Sequence, residues 1–311
     1  MKYVKDMEEG NKVKGIYYCK SKISTETKTG KPYDNIELQD KTGAVNGKVW
    51  EPYSPGIKEY EAGDFVEITG EVKLFNNAKQ LHVSGLRVCT DDEYDPADYM
   101  PVTKKNIDDM YGQLLVLVDS VDDKYLKQLL EAFFKDPEFE MIFRKASAAK
   151  TVHHAFIGGL LQHSLSVATI CDSMSRWYPV LDRDLLVSCA LLHDIGKTRE
   201  LAPFPQNDYT DEGQLVGHII TGSQMAMEKM NAIEGFPVKR RNEVIHLILA
   251  HHGELEFGSP KKPALIEALA LSMADNMDAK IETFSEAIEA SDSKDWMGFN
   301  KFLDSNIRKT V

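Results

Sequence analysis

Two adjacent residues, His193 and Asp194, constrain this chain more than any other feature of its sequence. They follow an apolar run within residues 185–192, and Gly196 comes two residues later, which predicts that a buried helix ends here. At a helix end both side chains can turn toward a single ion. A carboxylate can bridge two cations with its two oxygens, whereas an imidazole nitrogen binds only one. We therefore interpret Asp194 as the centre of a two-metal site and His193 as its first neighbouring ligand.

The other histidines support this interpretation. Each candidate ligand lies where an apolar helical pattern turns one side inward, as Asp275 does four residues after Leu271. A single histidine of this kind is more often an ordinary core residue, but several on successive helices would each need a buried partner. The candidate metal ligands are His163, His193, Asp194, His218, His251, His252 and Asp275.

The first ninety residues predict a small β-barrel. Five segments rich in β-branched and aromatic residues are separated by turn signals, among them Lys41-Thr42-Gly43 and Asn76-Asn77. Five strands at this spacing predict a Greek-key barrel of the oligonucleotide-binding (OB) type over residues 10–90. The predicted strands are Val13–Cys19, Tyr33–Leu38, Val45–Trp50, Phe65–Val72 and Gln80–Val88.

Barrels of this type bind single strands by stacking bases on aromatic rings beside basic side chains. The rings of Trp50 and Phe75 are equally consistent with a place in the barrel core. We interpret His82 and His246 as structural. The candidate nucleic-acid-binding residues are Lys31, Tyr33, Lys48, Trp50, Lys73, Phe75 and Lys79.

Helical periodicity begins near Asn106 and continues to the end of the chain, after an acidic linker or strap over residues 91–105. The helix with His163 is predicted from about residue 155 to 177, and the last helix, which carries Asp275 and Asp278, from about residue 263. We therefore predict a multi-domain protein of α and β structure. Its OB-type β-barrel is followed by an all-α helical bundle over residues 106–311, with a core at about 155–285.

Composition and charge limit the functional classes. No apolar run is long enough to span a membrane, residues 1–6 lack a signal-peptide core, and the four cysteines form no CxxC pair. We therefore expect a cytoplasmic protein with reduced thiols and no membrane partner. The net charge of −12 argues against a surface coated with nucleic-acid-binding charge. Residues 1–90 nevertheless carry 14 Lys/Arg against 13 Asp/Glu, so the barrel repels a polyanion less than the remainder does.

The order and helical setting of the candidate ligands resemble the HD-domain metal-dependent phosphohydrolases. More narrowly, the chain resembles the YhaM-type 3′-to-5′ exoribonucleases of Gram-positive bacteria over nearly its whole length. The stretches that carry this resemblance are His153-His154-Ala155, Gly158-Gly159-Leu160-Leu161-Gln162-His163, His193-Asp194-Ile195-Gly196-Lys197, Gly217-His218, and His251-His252-Gly253-Glu254 leading to Gly258-Ser259-Pro260.

The resemblance implies how the ligands divide. One metal takes His163, His193, Asp194 and Asp275, and the other takes the bridging Asp194 with His218, His251 and His252, although one of the last two could bind substrate instead. The site would thus hold two divalent ions. Mixed imidazole and carboxylate ligation favours manganese, with Fe²⁺, Co²⁺ or Mg²⁺ as alternatives. A metal pair activates a shared water and binds both oxygens of an in-line phosphoryl displacement.

Other residues near the candidate ligands have two possible roles each. Lys197 either neutralises charge in the transition state, beside Asp194 as the second catalytic residue, or caps a helix end at the surface. His153 and His154 are expected to support the ligands or to contact phosphate. Candidate residues of the substrate channel are His153, His154, Tyr209, Glu254 and Lys261.

Three functions compete. The favoured one is a metal-dependent 3′-to-5′ exoribonuclease that takes single-stranded RNA, or single-stranded DNA, from the barrel and releases nucleotides. The second is an HD nucleotide phosphohydrolase or cyclic-dinucleotide phosphodiesterase, although residues 253–260 lack the Gly-Tyr-Pro signature of the latter. The third is a nucleic-acid-binding adaptor with a decayed site, which the complete ligand set disfavours. The sequence does not settle whether the chain forms a homo-oligomer.

Overall fold

The structure is a computed structural model that describes residues 2–27, 29–75, 78–95, 98–150, 154–289, 291, 293, 295–300 and 303–310. The chain divides into two compact units. The first, the barrel unit, comprises Met1–Val102 with Phe204–Gln206, and the second, the helical unit, comprises Thr103–Pro203 with Asn207–Val311. Each is described by itself.

The barrel unit is a closed five-stranded barrel with the strand order β1-β2-β3-β5-β4. Only the β3–β5 pair is parallel among the described strand pairs of this barrel. The strands confirm all five predicted segments, and Lys41 and Thr42 form the predicted turn between β2 and β3. They are Lys12–Glu26 (β1), Pro32–Asp40 (β2), Gly43–Val49 (β3), Phe65–Phe75 (β4) and Ala78–Val88 (β5).

Alternation along the strands separates the barrel core from its surface. On β2, Ile36 and Leu38 are buried in the core while Tyr33 and Asn35 point outward. The fifteen-residue β1 shifts register between Cys19 and Ser21, and this irregularity lets one long strand pair with both β2 and β4. A short 3-10 helix, Val4–Asp6, precedes the barrel. The predicted Asn76-Asn77 turn lies outside the described residues.

The first part of the predicted linker packs on the barrel as a strap. The ring of Tyr94 stacks on Phe65 with centroids 3.8 Å apart, and Tyr99 meets the same ring at 5.2 Å. The Gln39 amide donates a hydrogen bond to the Tyr99 carbonyl oxygen at 3.2 Å. These contacts extend the barrel unit beyond its last strand.

The helical unit is built around one helix that is buried on every side. Leu185–Leu192 are at most 2% exposed, and α5 packs against α2, α4, α9 and α10. Asp182 caps its first turn by accepting a hydrogen bond from the Leu185 amide. In the described part of this unit the helices are Ile107–Asp119 (α1), Lys124–Phe134 (α2), Pro137–Phe143 (α3), Gly159–Trp177 (α4), Arg183–Leu192 (α5), Lys197–Glu200 (α6), Asp211–Leu215 (α7), His218–Ala232 (α8), Val238–Ala250 (α9) and Ile266–Glu289 (α10).

The extreme C-terminus differs from the predicted helix. Trp296–Asn300 (β6) and Ser305–Arg308 (β7) form an antiparallel hairpin, so helical periodicity does not continue to the end of the chain. Trp296, Phe299 and Ile307 favour strands, and Gly298 adopts a positive φ of 89° that interrupts a helix. No helix in the described part of the chain has both the length and the apolar character needed to cross a membrane.

Candidate metal centre and nucleic-acid interface

The central helix ends on the His193-Asp194 pair. His193 is the C-cap of α5, and its Nδ1–H donates a hydrogen bond to the Ala190 carbonyl oxygen at 2.7 Å. That bond fixes the imidazole tautomer and leaves a lone pair on Nε2. The turn that follows lies tightly against the start of α8, because a Cβ at Gly196 would be 2.0 Å from the His218 carbonyl oxygen. A glycine at this point therefore brings His218 close to Asp194.

The two oxygens of Asp194 face two different groups of imidazoles. Oδ2 lies 3.5 Å from His163 Nε2 and 3.4 Å from His193 Nε2. Oδ1 lies 3.5 Å from His218 Nε2 and 3.6 Å from His251 Nε2. A single buried carboxylate thus stands between two clusters of nitrogen atoms, as a bridging ligand would.

The first cluster comprises His163, His193 and Asp275, whose ligand atoms lie within 4.8 Å of one another. The Nε2 atoms of the two histidines are 3.2 Å apart, and His163 Nε2 is 3.1 Å from Asp275 Oδ1. His163 donates its Nδ1–H to Asp278 Oδ2 at 2.7 Å, so its Nε2, like that of His193, is free to bind an ion. Two lone pairs at this distance repel each other unless a proton or a cation lies between them.

Electrostatics in this cluster favour a positive charge. Burial lowers the pKa of His163, but Asp275 and Asp278 outweigh burial and raise that pKa to about 9. A divalent ion bound to Nε2 would take the place of the proton that these carboxylates attract. The residues therefore fit a divalent cation.

The second cluster comprises His218, His251 and His252, also within 4.8 Å of one another. The Nδ1 atom of each ring is hydrogen bonded. That of His218 bonds to Glu200 at 2.9 Å. That of His251 bonds to the Ile248 carbonyl oxygen at 2.7 Å, and that of His252 to the Phe257 carbonyl oxygen at 2.8 Å. Buried polar atoms without a partner are rare and costly. Three converge here, namely His218 Nε2, His251 Nε2 and Asp194 Oδ1. A second cation would satisfy all three atoms.

Burial keeps two imidazoles of this second cluster, His251 and His252, neutral. Desolvation holds the pKa of His251 well below its usual range, with neighbouring imidazoles adding to the effect, and lowers that of His252 in the same direction. A metal ligand must be the neutral imidazole, so both residues are in the required state at neutral pH.

Lys197 lies within the site. Its Nζ is 2.7 Å from Asp194 Oδ2, which places the ammonium group beside a candidate metal ligand. Burial raises the pKa of Asp194, but Lys197 and His193 outweigh burial and hold that pKa well below its usual range. Burial likewise lowers the pKa of Lys197, and Asp194 outweighs it and raises that pKa. Both groups are therefore charged.

Two supporting carboxylates are absent from the set of candidate site residues drawn from the sequence. Asp278 accepts hydrogen bonds from His163 Nδ1, from His154 Nε2 at 3.0 Å and from the Ser166 hydroxyl. Its spacing of three residues from Asp275, which places both on one helix face, was the available signal. Glu200 orients His218, and nothing in the sequence distinguished it from a surface glutamate.

A cavity of about 800 Å³ opens beside the clusters. Of the predicted channel residues, His154 and Glu254 line it, Tyr209 and Lys261 do not, and His153 lies outside the described residues. Lys262 lines the cavity where Lys261 was expected, and its Nζ forms an ion pair with Glu254 at 2.5 Å. The cavity is lined by Ala148, His154, His163, Asp194, Lys197, His252, Gly253, Glu254, Phe257, Lys262, Pro263, Leu269, Ser272, Met273, Asp275, Asn276 and Ala279.

An aromatic and polar surface crosses strands β2, β3 and β5 of the barrel. The rings of Tyr33 and Trp50 lie 5.0 Å apart, and Lys48 Nζ is 4.9 Å from the Tyr33 centroid. Trp50 is 42% exposed, so it is a surface residue and not part of the barrel core. The structure thus brings three of the predicted nucleic-acid-binding residues together.

His82, which the sequence suggested was structural, joins this surface. Its ring meets the edge of Trp50 with centroids 5.9 Å apart, and Gln80 beside it donates to Asn46 at 2.9 Å. Alternation along β5 was the signal, since Gln80 and His82 are its outward positions. Lys73 is opposite Gln80 on β4. The other candidates lie near hairpin ends: Lys31 before β2, and Phe75 and Lys79 where β4 meets β5.

A barrel of OB topology and a helical unit centred on a His-Asp pair define an HD-domain metal-dependent phosphohydrolase with an OB-fold nucleic-acid-binding domain. Family models agree: the HD domain matches residues 160–280 and the OB-fold nucleic acid binding domain matches residues 20–88. The 3′-5′ exoribonuclease YhaM of Halalkalibacterium halodurans is 32% identical over 286 residues, covering 90% of this chain and 87% of the relative. The chain belongs to the YhaM family of 3′-5′ exoribonucleases, which confirms the resemblance inferred from its motifs.

Two further proteins are similar. The 3′-5′ exoribonuclease YhaM of Bacillus subtilis (strain 168) is 32% identical over 288 residues, which cover 91% of this chain and 89% of the relative. A solved structure of the second OB-fold domain of replication protein A from Methanococcus maripaludis covers 30% of this chain and 94% of its own, at 18% identity and a TM-score of 0.23.

Proposed function

We propose that this protein is a metal-dependent 3′-to-5′ exoribonuclease that hydrolyses single-stranded RNA to nucleotides, with single-stranded DNA as an alternative substrate. The reaction and its polarity are those in the printed names of its two relatives. The observation that carries the proposal is the position of Asp194, whose two buried oxygens each face a separate pair of imidazole nitrogens. A pair of cations this close together is the arrangement that two-metal nucleases and phosphatases use.

In this proposal one cation would be held by His163, His193, Asp194 and Asp275, and the other by Asp194, His218, His251 and His252. Imidazole with carboxylate favours manganese, with other first-row divalent ions as alternatives. When bound, the metals lower the pKa of a water molecule and bind phosphoryl oxygens.

The protein's own groups supply orientation and charge. Glu200 and Asp278 hold His218 and His163 at fixed angles through their Nδ1 atoms. The Lys197 ammonium is held in place by Asp194 at 2.7 Å, so it offers a fixed positive charge toward negative charge that develops on phosphoryl oxygen.

The barrel binds the body of the strand in this proposal, by stacking bases on Tyr33 and Trp50 beside Lys48. Stacking on such rings does not depend on the base sequence, because every base has an apolar face. Single strands are the expected substrate, since a base within a duplex has no free face to stack. We also propose a cytoplasmic location, which the four free, buried cysteine thiols support.

The test uses linear RNAs labelled at the 5′ end and a circular RNA labelled internally, each incubated with the purified protein and manganese. We expect a ladder that shortens from the 3′ end on a free single strand, a stop at a stable hairpin, and no cleavage of circular or 3′-blocked RNA. Equal cleavage of free, blocked and circular RNA would show an endonuclease and contradict the proposal. Hydrolysis of mononucleotides without cleavage of RNA would indicate a small-molecule HD enzyme instead.

A further inference from the structure

The cavity beside the candidate metal ligands is lined by side chains of two chemical kinds. The polar ones include His163, Asp194, Lys197 and Asp275. Apolar side chains that are largely exposed to solvent contribute to the lining as well: Phe257 is 65% exposed, Leu269 46% and Met273 59%. A ligand that matches such a lining has a charged part and an apolar part. A volume of about 800 Å³ is within the range of about 300–1,000 Å³ that holds small organic ligands.

Phe257 is held on a short, well-defined loop. The loop is a single 3-10 turn, Leu255–Phe257, between Gly253 and Gly258, which have positive φ values of 79° and 87°. The Phe257 amide donates to the Glu254 carbonyl oxygen at 3.1 Å, and the Gly253 amide donates to Ala250 at 2.9 Å. Side chains other than glycine rarely adopt these backbone angles, so the two glycines fix where the loop turns.

The same loop is tied to a candidate metal ligand. His252 Nδ1–H donates to the Phe257 carbonyl oxygen at 2.8 Å. The backbone that carries the exposed ring is thus one hydrogen bond away from an imidazole of the second cluster. Leu255, in the same turn and 58% exposed, does not line the cavity.

We propose that Phe257 is the stacking platform for the 3′-terminal base of the strand that is being shortened. The inference rests on the proposed function and adds the subsite that holds the end of the substrate. The apolar ring of Phe257 accepts the face of the base, with Leu269 and Met273 as further apolar lining of the same cavity, while the phosphodiester lies toward Lys197 and the ligands. Stacking reads no base edge, so any of the four bases can occupy the subsite.

The experiment measures dissociation constants of the full-length protein for a short single-stranded oligonucleotide whose terminal linkage is a non-hydrolysable phosphonate. Two oligonucleotides are compared, one with a normal 3′-terminal nucleotide and one with an abasic 3′-terminal residue. The variants are Phe257→Leu, which removes the ring, Phe257→Tyr, which keeps it, and the matched control Leu255→Ala. Because nothing is hydrolysed, the measurement is independent of the RNA-shortening assay that tests the proposed function.

We expect Phe257→Leu to weaken binding of the normal oligonucleotide by about tenfold, at the lower end of what a base–aromatic stack contributes. The parent protein should lose a similar factor on the abasic oligonucleotide, and the two losses should not multiply when combined. Phe257→Tyr and Leu255→Ala should keep the parent's preference for the normal oligonucleotide. Multiplied losses, or a parent protein that binds both oligonucleotides equally, would overturn the proposal.

Discussion

Asp194 is the residue on which both candidate clusters depend, because its oxygens are shared between them. We expect Asp194→Asn to abolish RNA hydrolysis and to remove at least one ion per chain. The amide offers one neutral oxygen in place of a charged bridge, so the attraction that holds two cations together is lost. Elemental analysis of the purified variant gives the metal content directly.

The matched control is Asp109→Asn, the same chemical change on the exposed side of α1. Circular dichroism should show that both variants keep the parent's helical content. An Asp194→Asn protein that retains two ions and full activity would refute the bridging role.

Asp278 is a positioning residue, since it touches the His163 ring and not the reacting atoms. We expect Asp278→Asn to weaken metal binding by about 10- to 100-fold, the usual cost of losing an outer carboxylate that orients a ligand. The two ring N–H groups donate to the same oxygen of Asp278, and in asparagine that oxygen is neutral, so the charge that orients His163 is lost. A chelator-competition titration measures the metal affinity, again beside Asp109→Asn, and equal affinities would contradict the role.

At the scale of the elements, the candidate ligands join helices that are distant in sequence. The ligands come from α4, from the ends of α5 and α9, and from α8 and α10. A ligand that binds only the folded state stabilises it by RT ln(1 + [L]/Kd), about 2.7 kcal/mol at a hundredfold excess over Kd. We therefore expect removal of the metals with a chelator to lower the Tm of the helical unit, as followed by helical circular dichroism.

The control for that prediction is the Asp194→Asn protein, whose Tm should respond much less to the same chelator. A parent protein whose Tm is the same before and after complete metal removal would show that the ions contribute nothing to folding.

The barrel surface gives a second prediction at this scale. Trp50→Ala removes the most exposed ring of the Tyr33–Trp50–His82 group, and we expect it to weaken binding of long single-stranded RNA by about 5- to 100-fold. Trp177→Ala is the matched control, because it removes another exposed tryptophan, in the helical unit. Fluorescence anisotropy with labelled RNA measures both, and equal affinities would mean that this surface does not bind the strand.

The sequence predicted secondary structure best where one pattern of apolar and polar side chains repeated over a whole helix or strand. The alternating strands and the buried run before His193 predicted the barrel and the central helix, because burial follows those periodicities. Sequence reasoning failed where the partner is distant in sequence: Glu200 becomes informative only once folding brings His218 beside it. The C-terminal hairpin was missed because five residues are too few for periodicity to separate strand from helix.

At the scale of the whole molecule, charge is divided unevenly. Residues 1–90 carry a net charge of +1 and the remainder −13, so the attraction for RNA phosphates depends on a few lysines. We expect a shallow dependence of log K on log salt, and Lys48→Met should reduce its slope by about 0.7, the value for one phosphate contact on a single strand. Binding titrations from low to high salt measure it, and an unchanged slope would exclude a phosphate contact at Lys48.

The long helix α10 carries several of the candidate site residues on one continuous element. Leu269 and Met273 face the cavity, and Asp275 and Asp278 face the His163 ring. Each residue of an α-helix turns the chain by about 100°, so one inserted or deleted residue between Leu269 and Asp278 would rotate every later group away from its partner at once. Evolution can therefore exchange side chains here but cannot change the length of this segment. We expect alignments of functional family members to be free of gaps from residue 269 to residue 278, while length variation collects in the turns between helices.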